Sequence, residues 1–147
     1  MLISNIKLQN FRNYKNLNIE LNKGINVFFG DNAQGKTNIL ESIFLCSIGK
    51  SFRTNKEKEV IHLGETFAKI SIDYEKSDRK GTVDYELSDK KSININGVKI
   101  KKLSELLGNI NIVIFTPDDI NILKGRSSWQ KKIFGYDDRT IKTSICI

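Results

Sequence analysis

The first twenty residues alternate apolar and polar side chains in a way that predicts two half-buried β-strands. These strands cover residues 2–8 and 17–21, and an exposed turn at residues 10–14 separates them. Residues 24–29 form a short, strongly apolar stretch. Because a strand that is apolar on both faces suits the middle of a sheet, the pattern predicts a buried central strand there.

A helical period replaces this alternation after residue 36. Apolar residues recur with helical spacing across residues 37–48, at Ile39, Leu40, Ile43, Phe44 and Ile48. Gly49 follows where a C-terminal cap is expected. Cys46 lies within the same pattern, so we expect a small core residue rather than a reactive thiol.

Residues 67–100 predict an antiparallel β subdomain. Segments 68–74 and 82–87 alternate, and residues 93–100 predict a hairpin with Asn96 and Gly97 in a type I′ turn. A short helix is expected at residues 103–107, before Gly108, and another apolar strand at residues 110–115. The fold class is therefore α/β with an antiparallel β subdomain.

A helix start is predicted directly after this last strand. Thr116 is the expected N-cap, Pro117 the first helical residue and Asp119 the capping acid. Capping therefore explains the pair Asp118 and Asp119 better than a role as the acidic pair of a hydrolytic site.

Residues 30–37 match the phosphate-loop pattern G-x-x-x-x-G-K-[ST] in full, between a predicted strand and a predicted helix. Its glycines allow backbone N–H groups to approach phosphates, and the following helix adds the partial positive charge of its N-terminus. Lys36 is expected to reach the β- and γ-phosphates, and Thr37 to ligate Mg²⁺. The candidate nucleotide-binding residues are Gly30, Asp31, Asn32, Ala33, Gln34, Gly35, Lys36 and Thr37.

This loop alone does not identify the nucleotide. A GTPase normally also has an Asn-Lys-x-Asp motif for base recognition, and the sequence contains none. That test does not exclude a kinase with a phosphate loop.

Five motifs in order along residues 1–125 resemble the RecF family. They are Phe11-Arg-Asn-Tyr14, the phosphate loop continued through Ser42, Gly49-Lys-Ser-Phe-Arg53, Phe115-Thr-Pro-Asp-Asp119 and Leu123-Lys-Gly125. The RecF family is similar to the SMC-type chromosome ATPases but lacks their coiled coil. The resemblance implies a P-loop NTPase fold, specifically lobe I of an ABC-type ATPase head, with the second lobe absent from this sequence.

The same resemblance implies ATP and Mg²⁺ as ligands, an ATP-dependent homodimer, and gapped, single- or double-stranded DNA as a partner. Recombination mediator proteins are the implied protein partners, and loading of recombinase at gaps in replication, repair and the SOS response is the implied role. Arg12 is expected near the nucleotide by this resemblance. Contacts with DNA phosphates are possible for Lys50, Arg53, Lys56 and Lys58, although an ordinary solvated surface explains these residues equally well.

Several parts of the family's hydrolytic site have no counterpart here. An ABC-type head also needs a Walker B acidic pair, a signature motif and a switch histidine, which in the family lie far beyond position 147. We therefore expect weak ATP binding without hydrolysis. A nucleotide-gated DNA or partner clamp without turnover, and an unrelated P-loop kinase or GTPase, are the alternatives.

Residues 126–147 depart from the family pattern, which continues with an Arg-rich segment. Read one nucleotide later, the codons for residues 129–142 permit an in-family continuation. The hypothesis is a frameshift just after Gly125, and the alternative is a divergent C-terminus.

The net charge of +7 allows a nucleic-acid partner without requiring one. Residues 126–147 contribute +3 of it, which leaves +4 for the first 125 residues. No apolar run approaches the ~20 residues of a membrane span. The N-terminus lacks an export signal, so a cytoplasmic protein without a membrane partner is the expectation.

Overall fold

The computed structural model describes residues 1–32, 34–77 and 79–115. Residues 1–112 form one compact unit that contains every element named below. The strands are β1 Leu2–Phe11, β2 Tyr14–Glu20, β3 Ala68–Lys76, β4 Arg79–Leu87, β5 Lys91–Ile95 and β6 Val98–Lys99. One α-helix, α1, covers Lys36–Ile48, and short 3₁₀ helices cover Glu57–Val60 and Leu103–Glu105.

The six strands form a single antiparallel sheet in the order β2-β1-β3-β4-β5-β6. Both N-terminal strands therefore join the predicted β subdomain, with Ile6 of β1 opposite Ile72 of β3. The hairpin between β5 and β6 is confirmed, since Asn96 and Gly97 both have the positive φ that a type I′ turn requires, 51° and 78°.

The core lies between one face of the sheet and α1. Ile6, Ile70 and Val83 are fully buried on the sheet, and α1 contributes Ile43 and Cys46. Burial raises the pKa of the Cys46 thiol, with a further contribution from the nearby Asp84 carboxylate. Cys46 is therefore the core residue that its helical position predicts.

Helix α1 ends where the sequence predicts. Gly49 adopts a left-handed conformation with φ of 78°, and its N–H donates to the Leu45 carbonyl at 2.8 Å. An added side chain at this position would also meet Leu103. Glycine is thus required both by the backbone angle and by the packing.

The prediction of a buried central strand at residues 24–29 is wrong. No described residue pairs with this segment in a sheet, and Ile25, Val27 and Phe29 are 86, 74 and 91 % exposed. The prediction of a strand at residues 110–115 is also wrong. Ile110 is buried, but these described residues form no strand. A run of apolar residues leads to a buried strand only where partner strands and covering helices are present.

Within the described residues, no helix is both long and apolar enough to cross a membrane. The predicted helix start at Thr116 and the tail at residues 126–147 lie outside the described residues.

Candidate functional site

The phosphate loop connects the exposed segment 24–29 to the N-terminus of α1. Gly30 and Gly35 have φ angles of 146° and 101°, a region that favours glycine. The Lys36 ammonium donates to the carbonyl oxygens of Gly30 and Asp31 at 2.7 and 2.6 Å. The ammonium group is therefore bound to the first two residues of the loop, where the predicted phosphate cradle begins.

The first turn of α1 offers further positive potential. Gly35 is the N-cap, no side chain caps the helix, and no acidic residue lies in the first turn. Uncapped N–H groups and the helix dipole together favour an anion at this end. Thr37 is exposed in this turn, where its hydroxyl is accessible to a ligand.

The turn between β1 and β2 packs directly against this loop. The Asn13 side-chain amide and the Tyr14 hydroxyl both donate to the Gln34 carbonyl at 3.2 Å. Asn38 of α1 donates to the Asn13 side-chain oxygen at 2.8 Å. Burial raises the pKa of Tyr14, so its hydroxyl keeps the proton that it donates.

Behind the loop, the fully buried carboxylate of Glu41 forms ion pairs with two arginine side chains. Glu41 accepts two hydrogen bonds from the Arg12 guanidinium, at 2.6 and 2.9 Å, and one from Arg53 at 3.2 Å. The Ser51 hydroxyl also donates to Glu41 at 2.6 Å. Every charge in this cluster has a partner, which is the condition for burying a carboxylate.

The role of Glu41 was missed by sequence reasoning. Its position within the apolar pattern of α1, between Leu40 and Ile43, is the signal that could have revealed a buried carboxylate. Arg12 was expected near a nucleotide; its guanidinium instead contacts Glu41 and the Glu59 carbonyl, and the nucleotide contact stays a prediction.

The four candidate DNA-contacting residues follow α1 along the chain, and all four are exposed. Arg53 bonds to Glu41 and Asn38, and Lys56 lies 3.8 Å from the Glu59 carboxylate. Within the described parts of the chain, Lys50 and Lys58 have no carboxylate within ion-pair distance. These two lysines are thus the better candidates for an external phosphate.

No cluster of three or more His, Cys, Asp or Glu side chains that could hold a metal occurs among the described residues. The residues present fit a Mg²⁺ ion that is bound through Thr37 and nucleotide phosphates, as Mg²⁺ often is. They do not form a protein cage for a metal.

Comparison with known proteins identifies the family. Residues 5–144 match the model of the family described as AAA domain. The DNA replication and repair protein RecF of Clostridium novyi is 51 % identical over 134 residues, which is 90 % of this chain and 37 % of that protein. RecF of Clostridium tetani is also 51 % identical, with 36 % of its length covered. The chain thus spans little more than a third of these relatives.

Solved structures agree with this match. The recombination mediator protein RecF with ATP is 35 % identical, with a TM-score of 0.77 over 89 % of this chain and 37 % of that chain. The SMC head domain from Thermotoga maritima has a TM-score of 0.57 at 19 % identity, over 72 % of this chain and 41 % of that one, and supports the fold alone. The predicted ATPase-lobe fold is confirmed. The chain belongs to the AAA domain family, and it is similar to the N-terminal portion of the RecF proteins.

Proposed function

We propose that this chain binds ATP with Mg²⁺ at residues 30–37 and does so without hydrolysing it. The observation that supports the proposal most strongly is the bonding of the Lys36 ammonium to the Gly30 and Asp31 carbonyls, beside the uncapped N-terminus of α1. Two glycine conformations, a central cation and free helix N–H groups are what a triphosphate requires. The RecF structure described with ATP, at 35 % identity, supports the choice of nucleotide.

Hydrolysis needs an acidic residue that positions water and a motif from an opposing subunit. Asp31 belongs to the loop itself, and the Glu41 carboxylate behind the loop is fully buried and bonded to Arg12 and Ser51, so that neither has the position of such an acid. Steady-state phosphate release with and without double-stranded DNA separates an ATPase from a nucleotide-gated clamp. The family match removes the alternative of an unrelated P-loop kinase or GTPase.

Lys36→Ala tests the site. The ammonium makes charge-assisted bonds worth about 1.5–3 kcal/mol each, so we expect affinity for a fluorescent ATP analogue to fall about tenfold or more. Lys99→Ala on β6 removes the same charge from an exposed position away from the loop and is expected to leave binding unchanged. Equal affinity of the Lys36→Ala and Lys99→Ala variants would contradict the assignment.

The proposed biological role is in DNA replication and recombinational repair in the cytoplasm, and the name of the relatives, DNA replication and repair protein RecF, supports it. It includes binding of gapped DNA in an ATP-dependent homodimer and loading of recombinase together with mediator proteins. The net charge supports a DNA surface, and so do Lys50 and Lys58, which have no carboxylate within ion-pair distance among the described residues.

Salt dependence tests the DNA surface. Each phosphate contact that is lost should reduce the slope of log affinity against log salt by about one. We therefore expect a shallower slope for Lys50→Ala and for Lys58→Ala, with Lys99→Ala as the control of equal charge. A flat salt response of the unmodified chain would remove DNA from the partners.

A further inference from the structure

The turn between β1 and β2 has a strained backbone that many contacts hold in place. Phe11 pairs with Tyr14, so Arg12 and Asn13 form a two-residue loop, and Arg12 has a φ of 54°. Glycine normally occupies such a position, and a side chain there costs of order 1 kcal/mol or more. Strain of this kind persists only where surrounding contacts determine the conformation.

Arg12 has those contacts at both its backbone and its side chain. The Arg12 N–H donates to the Val60 carbonyl at 2.7 Å, and the Arg12 carbonyl oxygen lies 2.7 Å from His62 Nδ1. The guanidinium bonds twice to the buried Glu41 and once, at 2.7 Å, to the Glu59 carbonyl. Arg12 therefore fixes the turn to α1 and to the segment around Val60.

The other end of the turn reaches the phosphate loop. Asn13 and Tyr14 both donate to the Gln34 carbonyl. In a planar trans peptide the C=O and the next N–H point in opposite directions. Holding the Gln34 oxygen toward the turn therefore directs the Gly35 N–H away from it.

Gly35 has no room for a side chain on the turn side. A Cβ atom there would lie 2.6 Å from the Tyr14 hydroxyl and 2.7 Å from the Asn13 side-chain oxygen. The turn and the loop are thus in direct contact at Gly35, the N-cap residue of α1. This close approach sets the position of the loop relative to the helix.

We propose that residues 11–14, here named the supporting turn, are a positioning element for the phosphate loop. Anchored through Arg12 and Glu41, the supporting turn uses Asn13 and Tyr14 to orient the peptide between Gln34 and Gly35 for phosphate binding. This inference rests on the proposed nucleotide site and assigns positioning roles to residues outside the loop motif.

Tyr14→Phe is the test, since it removes only the hydroxyl. The loss of one neutral hydrogen bond corresponds to an increase of about two- to tenfold in the dissociation constant. We expect weaker binding of a fluorescent ATP analogue and of tripolyphosphate, by the same factor for both. Tyr74→Phe is the matched control, because the Tyr74 hydroxyl also makes one hydrogen bond, 3.3 Å to Asn109, away from the loop.

Hydrogen exchange of the Gly35 amide in nucleotide-free protein gives a second readout that does not need ATP. Exchange is expected to rise in Tyr14→Phe and further in Asn13→Ala, and to stay unchanged in Tyr74→Phe. If Gly35 exchanges faster in Tyr14→Phe but the unmodified chain binds no ATP, the nucleotide site is rejected and the role of the supporting turn is retained. Unchanged exchange and unchanged affinity in Tyr14→Phe would overturn the proposal, even if Asn13→Ala fails to fold.

Discussion

At the scale of single residues, Glu41 connects the parts of the site. Its carboxylate is fully buried on α1 and joins Arg12 of the supporting turn to Ser51 and Arg53, which follow the helix. A buried ion pair is weak evidence for net stability, because desolvation offsets much of the attraction. Removing one partner is costly nonetheless, since the other charge is then left unpaired.

Glu41→Gln is therefore expected to destabilise the chain strongly. We expect a loss of about 3 kcal/mol in the free energy of unfolding, near the lower end for a broken buried pair, because the amide still accepts hydrogen bonds. Urea denaturation gives the value. Glu59→Gln is the control, since its pair with Lys56 is exposed and worth less than about 1 kcal/mol. Equal losses in the two variants would show that Glu41 is not a structural centre.

At the scale of elements, local signals were sufficient where a feature depends on neighbouring residues. The Asn96–Gly97 turn, the Gly49 cap and helix α1 each follow from a few adjacent residues, and the structure confirms them. The contacts of Arg12 with Glu41 and with Glu59 join residues 29 and 47 positions apart. No periodicity in the sequence specifies such a pairing, so the turn at residues 10–14 is predicted but its contacts with Glu41 and Glu59 are not.

Residues 24–29 show the limit of the apolar pattern. The pattern shows only that the side chains are apolar, whereas burial also needs strands on both sides. Ile25, Val27 and Phe29 are exposed at alternate positions, and no described residue pairs with this segment in a sheet. Such a segment favours pairing with another chain.

Val27→Lys is expected to weaken self-association of the purified chain. Losing one buried valine contact corresponds to about 1.5 kcal/mol, or roughly a tenfold change in the association constant. Sedimentation equilibrium measures it. Val98→Lys is the matched control, because Val98 is 70 % exposed, close to the 74 % of Val27, but belongs to the β5–β6 hairpin. A monomeric unmodified chain, or equal effects of both variants, would contradict this view of the segment.

At the scale of the whole molecule, the six-stranded sheet and α1 form the support on which the phosphate loop is placed. The loop begins after an exposed segment and ends at a helix whose inner face is buried on the sheet. Its position is therefore determined by α1 on one side and by the supporting turn on the other. The proposed nucleotide site thus depends on contacts that all lie within the compact unit of residues 1–112.

The most direct test of the account is a titration of the ¹⁵N-labelled chain with MgATP, followed by the backbone amide resonances. We expect the largest shifts at Gly30, Gly35, Lys36 and Thr37, with none at the β5–β6 turn marked by Gly97. The same titration of Lys36→Ala is expected to show greatly reduced shifts at equal ligand concentration. Shifts centred elsewhere on the chain, or identical shifts in Lys36→Ala, would contradict the claim that residues 30–37 form the nucleotide site.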